Sequence, residues 1–238
     1  MLELRETRKE LAKQSKALSD QKSEFAAQTK ILAKQTTINE NQQKIINDQF
    51  KETQKTNFLD HYFKLIDQKN MAMNNLIFPT ENGAISGQAV LTQYSKEFRR
   101  IRGGFNPEIH DSDYYLEHWD DFNKKVYGSF NYQVRSYFKI YIVIFHTINS
   151  SEVISDAEKK YYTQIFRMFL SLEEQLVLMW NATFDKKLQN CCNKYGLLSG
   201  IYNEHLEKTG LKFFKITAFG TSSWTPVFEK HSENQAID

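Results

Sequence analysis

The sequence predicts an all-α protein in which a long N-terminal coiled-coil helix is followed by a globular helical bundle. Residues 1–57 follow a seven-residue repeat and contain neither Pro nor Gly. The whole chain of 238 residues has only 9 Gly and 3 Pro, which disfavours a turn-rich sandwich or barrel. Aromatic residues make up 14% of the chain, so a helical body can build a core although the average composition is polar.

The predicted coiled-coil arm covers residues 1–57. Every seventh residue from Leu4 to Ile46 is apolar except Asn39, and a parallel series of Gln runs from Gln14 to Gln49. A seven-residue repeat of this length keeps one seam of the helix facing a partner. We therefore expect a homo-oligomer held by a seam of Leu4, Leu11, Leu18, Phe25, Leu32 and Ile46. The alternative is a single long helix lying on its own globular domain.

The helical body is predicted over residues 58–210 and an extended C-terminal tail over 211–238. Helical spacing of apolar residues begins at Phe58 and returns around Leu91 and Trp119. The segment Phe130–Ile148 is apolar nearly all round, so we predict that it is the buried central helix. Its β-branched run leaves a strand as the alternative.

Two further helices and a strand complete the predicted body. Ser155 with Glu158 three residues later is typical of a helix start, and this helix should run to about Phe184. A short helix is expected from Tyr195 to about Leu206. The stretch 211–228 contains Gly, Ser and Pro, and we predict a strand or an extended segment there.

Composition also limits the function. Lys and Arg total 31 against 29 Asp and Glu, a net charge of only +2, so a nucleic-acid partner is not indicated. The adjacent Cys191 and Cys192 are poorly placed for a structural disulfide and imply a reducing compartment. The sequence shows no secretory signal and no apolar run long enough for a bilayer. We expect a cytoplasmic protein, membrane-tethered only in a longer form with spans before Met1.

The common catalytic motifs are absent from the sequence, which leaves the catalytic residues unknown and indicates no cofactor. His110, Asp111, Asp113 and His118 lack a recognised ligand spacing, so we predict loop and cap residues and no metal. The basic residues between Lys96 and Arg102 precede a Gly pair and suit a phosphate or, more commonly, a solvated face. The Arg–His spacing of HEPN-type RNases is not found.

A polar line is predicted on the helix after Ser155. Arg167, Ser171, Glu174, Leu178 and Asn181 fall at steps of four, three, four and three opposite the apolar stripe. The line is either a solvated back face or a seam that faces another helix, a partner or a ligand.

The run Tyr161–Asn181 resembles the core of the phage abortive infection proteins, the AbiC-like family. It has an aromatic residue, then Arg, Leu-Ser, Glu and an apolar run that ends on Asn. Similar pieces occur in the same order at Phe58–Leu65, Tyr137–Tyr141 and Lys194–Leu198. The resemblance covers about residues 58–205 and implies a bacterial anti-phage role. The family-motif or partner-binding residues that it implies are Tyr137, Phe138, Arg167, Ser171, Glu174 and Asn181.

Our preferred hypothesis is a defence protein whose arm oligomerises and whose body senses or binds a phage or host component. One alternative is an RNase-type toxin, activated by oligomerisation, that uses residues drawn from Arg135, His146, Arg167 and Glu174. Another is a scaffold whose arm pairs with a different coiled-coil protein.

Overall fold

The structure is a computed structural model that describes residues 2–129, 131–220 and 223–235. The side chains of residues 2–5, 8, 234 and 235 lie outside that description. Leu4 of the predicted seam is among them, and Phe130, the first residue of the predicted central helix, is also outside. Helices account for most of the described residues, which confirms the all-α prediction.

The chain forms helices in the following order, with one short β-hairpin among them. The described elements are α1 (Leu2–Asn74), β1 (Ile77–Thr80), β2 (Gly83–Ser86), α2 (Gln88–Ile101), α3 (Ser112–Tyr127), α4 (Gln133–Ser150), α5 (Asp156–Met168), α6 (Leu172–Phe184), α7 (Lys186–Tyr195), α8 (Glu207–Phe213) and α9 (Thr225–Gln235), with 3-10 turns at Arg102–Gly104, Glu204–Leu206 and Ile216–Ala218.

The chain divides into two compact units, Met1–Thr56 and Asn57–Asp238. The first unit consists of α1 residues, and its apolar side chains are exposed. The described seam residues Leu11, Leu18, Phe25, Leu32 and Ile46 are 57–64% exposed. Apolar side chains repeated along one helix and left uncovered are typical of a surface that needs a partner.

The core of the second unit is built around α6. Every residue from Glu174 to Thr183 is buried, and α2, α3 and α7 pack against this helix. The prediction that α4 is the central helix was wrong, because α4 buries one face and leaves Val143 half exposed on the other. The segment is a helix and not the alternative strand, so its β-branched residues did not decide its conformation.

Aromatic packing supports α6 in this central position. The Trp180 ring stacks on Phe98 at 5.8 Å between centroids and meets Trp119 edge-on at 4.7 Å. Its indole Nε1 donates to the backbone oxygen of Tyr115 at 3.1 Å, so the one polar atom of the buried ring is satisfied. The numerous aromatic residues therefore form the core, as their abundance indicates.

The helix predicted from Ser155 to about Phe184 is broken at Phe169–Ser171. Its start is confirmed, because Ser155 and Glu158 form a capping box at the beginning of α5. Ser171 and Glu174 form a second capping box that begins α6. The polar line predicted on one continuous helix therefore does not exist: Arg167 lies in the last turn of α5, and Glu174 lies in the first turn of α6.

Three other regions differ from the sequence-based expectation. The short helix expected from Tyr195 to about Leu206 is absent, because α7 ends at Tyr195 and only the 3-10 turn Glu204–Leu206 follows in that segment. Residues 77–86, for which no strand was predicted, form an antiparallel hairpin in which Phe78 pairs with Ile85. The described residues of 211–228, which leave out 221 and 222, do not form the expected strand or extended tail: they include the end of α8, a 3-10 turn and the start of α9. Trp224 stacks on Phe219 at 3.8 Å and anchors this helical segment in the core.

Within the described ranges, no helix combines the length and the apolar character that crossing a bilayer requires.

Candidate functional site

The break between α5 and α6 separates the predicted site residues into two groups. Tyr137, Ser171 and Glu174 lie together in a buried polar cluster. Arg167 faces a cavity on a different part of the body. The surroundings of the two groups differ in charge balance and in access.

Glu174 is the centre of the buried polar cluster. Its Oε1 accepts hydrogen bonds from the hydroxyls of Tyr137 and Tyr141 and lies 2.7 Å from Lys69 Nζ. Its Oε2 accepts from the backbone N–H of Ser171 at 3.4 Å as part of the capping box. A carboxylate only 2% exposed is thus matched by a cation and three hydrogen-bond donors.

The tyrosine hydroxyls of this cluster are held in the protonated form. Burial is the main cause that raises the pKa of Tyr137, and the negative charge of Glu174 raises it further. The pKa of Tyr141 is raised well above its usual value by burial, by Tyr137 and by Glu174. Both groups therefore remain hydrogen-bond donors to the carboxylate at neutral pH.

The cluster connects several helices at the start of α6. Lys69 comes from α1 and the two tyrosines come from α4, while Gln88 at the start of α2 donates from Nε2 to Ser171 Oγ at 2.7 Å. Four helices therefore meet at one capping box. Because Glu174, Lys69 and the two tyrosines are buried and satisfy one another, this arrangement stabilises the fold.

Arg167 has the opposite environment. Its guanidinium is partly buried beside Gly196 and Gly220, and a Cβ on Gly196 would lie 3.4 Å from its Cζ. Among the described residues the buried Nε has no hydrogen-bond partner, and no carboxylate forms an ion pair with the group. Burial lowers the pKa of Arg167. The side chain therefore carries a positive charge that the described part of the protein does not balance.

The cavity that Arg167 lines has a volume of about 610 Å³. Its walls come from the end of α4, the length of α5, the end of α7 and the 3-10 turn that follows α8. Lys159, Lys160 and Lys194 also line it, and Asp156 is the one carboxylate among its lining residues in the described structure. The cavity is therefore strongly positive for a chain whose net charge is only +2.

The remaining predicted site residues, Phe138 and Asn181, are core residues. Phe138 is fully buried and contacts the rings of Tyr137 and Tyr141 at 5.0 and 5.3 Å between centroids. Asn181 is buried in α6, where its Nδ2 donates to the backbone oxygen of Val177 at 3.4 Å. Its Oδ1 has no partner within the described structure. Neither side chain reaches the cavity lined by Arg167.

The residues weighed as metal ligands have local structural roles. Asp111 caps α3 by accepting from the backbone N–H of Asp113 at 2.9 Å, as a cap residue is expected to do. His110 Nδ1 accepts from the backbone N–H of Asn106 at 3.0 Å, and His118 Nδ1 lies 2.8 Å from the oxygen of Tyr114. No group of three or more His, Cys, Asp or Glu able to hold a metal ion occurs in the part of the chain that the structure describes.

The residues of the alternative RNase set have unrelated surroundings. Glu174 is enclosed in its cluster, and the Arg135 guanidinium lies 5.4 Å over the ring of Phe184. His146 is exposed on α4, and Arg167 lines the cavity. Of the basic residues near Arg102, Arg100 pairs with Glu97 through both carboxylate oxygens.

Sequence reasoning missed Lys69, Gln88 and Tyr141 as partners of the motif. Tyr141 was within the resemblance but not singled out, although it lies four residues after Tyr137 and therefore on the same helix face. The sequence Ser-Leu-Glu-Glu at 171–174 is a capping-box signal that predicts the start of α6. Lys69 is about a hundred residues away from Glu174, and no local pattern connects them.

The fold and the two groups together define an α-helical protein with a repeat-bearing N-terminal helix and a body with a positively charged cavity lined by Arg167. Residues 129–206 match the model of the family described as "Putative phage abortive infection protein", which confirms the predicted resemblance. The match covers about a third of the chain and contains α4–α7, including the Glu174 cluster's two tyrosines and Arg167. The piece at Phe58–Leu65 lies outside it. Neither the curated proteins nor the solved structures contain a match to the chain.

The family match supports a role in abortive infection defence. It contains residues that line the positively charged cavity, including Arg167, Lys194 and Gly196.

Proposed function

We propose that this protein is a bacterial anti-phage protein that acts by abortive infection, oligomerises through residues 1–57 and uses its helical body to bind a phage or host component. The match at residues 129–206 is the observation that carries the defence role. The body provides a folded core and a charged cavity for recognition, while the arm provides the assembly surface.

The support for oligomerisation is the exposure of the heptad seam. Leu11, Leu18, Phe25 and Leu32 recur every seven residues on one helix and are each about 60% exposed. A second copy of the same helix presents the same repeat, so self-association covers the seam with matching side chains. The proposed assembly would also bury the Gln series beside the seam, and buried Gln favours a fixed register over tight binding.

The assembly step is tested by light scattering on the full chain and on a seam variant, Leu18→Glu with Leu32→Glu. The matched control is Ser23→Glu with Thr37→Glu, which adds the same charge to the same helix away from the seam. We expect the wild-type chain and the control to be oligomers and the seam variant to be a monomer. A monomeric wild-type chain, or a control that dissociates equally, contradicts the proposal.

The defence role is tested with the same variants in bacteria challenged with a panel of phages. We expect the wild-type chain to lower phage yield and infected-cell survival together, since abortive infection stops the host before phage release. The seam variant should lose protection and the control should keep it. Protection with full survival of infected cells would contradict abortive infection, and protection by the monomeric variant would separate defence from assembly.

A further inference from the structure

We propose that the cavity lined by Arg167 binds a small phosphorylated molecule of nucleotide size, with Arg167 as the principal phosphate contact. This inference goes beyond the proposed function, because the cavity's chemistry is argued from its own residues and holds whether or not the protein defends against phage. The charge, the local backbone and the dimensions of the cavity support this assignment.

The charge of the cavity selects an anion. Arg167, Lys159, Lys160 and Lys194 line it, and Asp156 is the only carboxylate facing it among the described residues. Asp156 lies 3.6 Å from Lys159 and is almost fully exposed, so it neutralises little of the charge. Three of the four cations thus face the cavity without a carboxylate partner in the described structure, an arrangement that repels other cations and attracts a multiply charged anion.

Arg167 is built into the wall and does not move freely on the surface. Its guanidinium packs between Gly196, which ends α7 at φ 65°, and Gly220, where a Cβ would lie 3.5 Å from Nη2. The glycines let the planar group lie against the backbone, and its stem is held by α5. A guanidinium fixed in this way offers a preorganised fork for phosphate oxygens, and such recognition is a common use of arginine.

Its lack of a partner indicates that the group serves a ligand. A partly buried charge costs free energy unless it is paired. Arg100 pairs with Glu97, and Arg135 stacks on Phe184, whereas the buried Nε of Arg167 finds no acceptor in the described structure. A phosphate in the cavity supplies the acceptor that the protein does not.

The dimensions favour a molecule larger than a single phosphate ion. Small-molecule sites have volumes of about 300–1,000 Å³, and this cavity has about 610 Å³. The remaining wall is mixed, with the apolar Ile148 and the aromatic Tyr195 beside the polar Asn149, Thr163 and Gln164. Such a lining suits an organic group attached to the phosphates.

Calorimetric titration of the full chain tests the assignment, with ATP, inorganic pyrophosphate, adenosine and a short single-stranded RNA as probes at constant ionic strength. We expect ATP to bind and adenosine not to bind, because the phosphates provide the attraction. Pyrophosphate that binds as tightly as ATP supports phosphate recognition in the cavity but contradicts a ligand of nucleotide size. Three outcomes overturn the proposal. Adenosine binds as tightly as ATP, neither ATP nor pyrophosphate binds, or the RNA binds while the other probes do not.

Variants locate the site. Arg167→Met keeps the stem and removes the fork, and it should weaken ATP binding about tenfold or more. Lys160→Ala removes an exposed lysine of the cavity and should weaken binding about two- to fivefold. Lys187→Ala, an exposed lysine on α7 outside the lining, is the matched control and should bind as the wild type does. Circular dichroism checks folding, and unchanged ATP affinity in both Arg167→Met and Lys160→Ala overturns the assignment.

Discussion

Glu174 and Arg167 lie only seven residues apart in the sequence, yet their charged side chains have opposite environments. Glu174 is enclosed and receives a cation and three hydrogen-bond donors, whereas Arg167 lines an open cavity and forms no ion pair within the described structure. Both residues belong to the matched family segment.

The difference separates residues that hold the fold from residues available for binding. Breaking a buried ion pair whose partners are all present lowers the free energy of unfolding strongly. An unpaired charge at a cavity already lowers that free energy in the intact protein. Occurrence in the same family motif therefore does not assign the same role. Each of the following variants or conditions tests this distinction.

The largest effect is expected from Glu174→Ala. The substitution leaves Lys69 buried without its carboxylate and frees two tyrosine hydroxyls, so it should lower the free energy of unfolding by about 3–5 kcal/mol. Urea unfolding followed by circular dichroism measures the change. If the true role of Glu174 lay in binding, the loss of stability would be small.

Glu158→Ala is the matched control for Glu174→Ala, because Glu158 holds the equivalent position in the capping box of α5. Its loss should lower the free energy of unfolding by about 1 kcal/mol, the value of a capping interaction. The difference between the two variants measures what the buried cluster adds. Equal losses in the two variants would contradict the account of the cluster.

Alkaline pH should destabilise the body through its buried tyrosines. Burial raises the pKa of Tyr62 to about 12, and burial with neighbouring charge raises those of Tyr137 and Tyr141. An unfolded tyrosine ionises near pH 10, so the stabilisation is fully present below that pH and is lost as the pH rises towards the folded pKa. The loss is about 1.4 kcal/mol per pH unit for each fully buried group.

Thermal melts between pH 7 and 11 measure this dependence. We expect a nearly constant melting temperature up to about pH 9 and a steep fall above about pH 10. Tyr141→Phe should make the fall shallower, because one buried ionisable group is removed. A melting temperature that is flat through pH 11 would show that the tyrosines are not protected from ionisation by the fold.

A smaller effect is expected at neutral pH from Tyr141→Phe. The substitution removes one donor to a buried carboxylate and should lower the free energy of unfolding by about 1.5–3 kcal/mol. Tyr161→Phe is the control, since Tyr161 is 59% exposed and its loss should change stability by less than about 0.5 kcal/mol. Similar changes in the free energy of unfolding in both variants would contradict the role of Tyr141 in the cluster.

Local patterns in the sequence predicted local structure well. The heptads and the lack of Pro and Gly predict a long helix, and α1 is one. Ser155 with Glu158 predicted the start of α5, and the same spacing at Ser171 and Glu174 was overlooked because the apolar stripe continues through it. Phe169 and Leu172 belong to that stripe but are exposed, so periodicity alone concealed the break.

Contacts between distant segments were not predictable from the sequence. Lys69 reaches Glu174 from α1, and Gly196 and Gly220 meet Arg167 from segments after α6. The choice of α6 over α4 as the central helix also depends on packing, since α6 buries polar residues such as Gln175, which a sequence pattern assigns to an exposed face. Gln175 is satisfied there, with Oε1 accepting from the backbone N–H of Gly200 at 2.7 Å.

The smallest effect, and the one opposite in sign, is expected from Arg167→Met. The thioether side chain fills the space of the stem without a partly buried charge, so the free energy of unfolding should rise by up to about 1 kcal/mol. Arg135→Met is the matched control, because that guanidinium lies over the Phe184 ring and its loss should lower the same free energy by about 0.5–1 kcal/mol. Urea unfolding distinguishes the two signs. A residue whose removal strengthens the fold while weakening ATP binding is retained for the ligand, whereas destabilisation of both variants to the same extent would make Arg167 an ordinary structural residue.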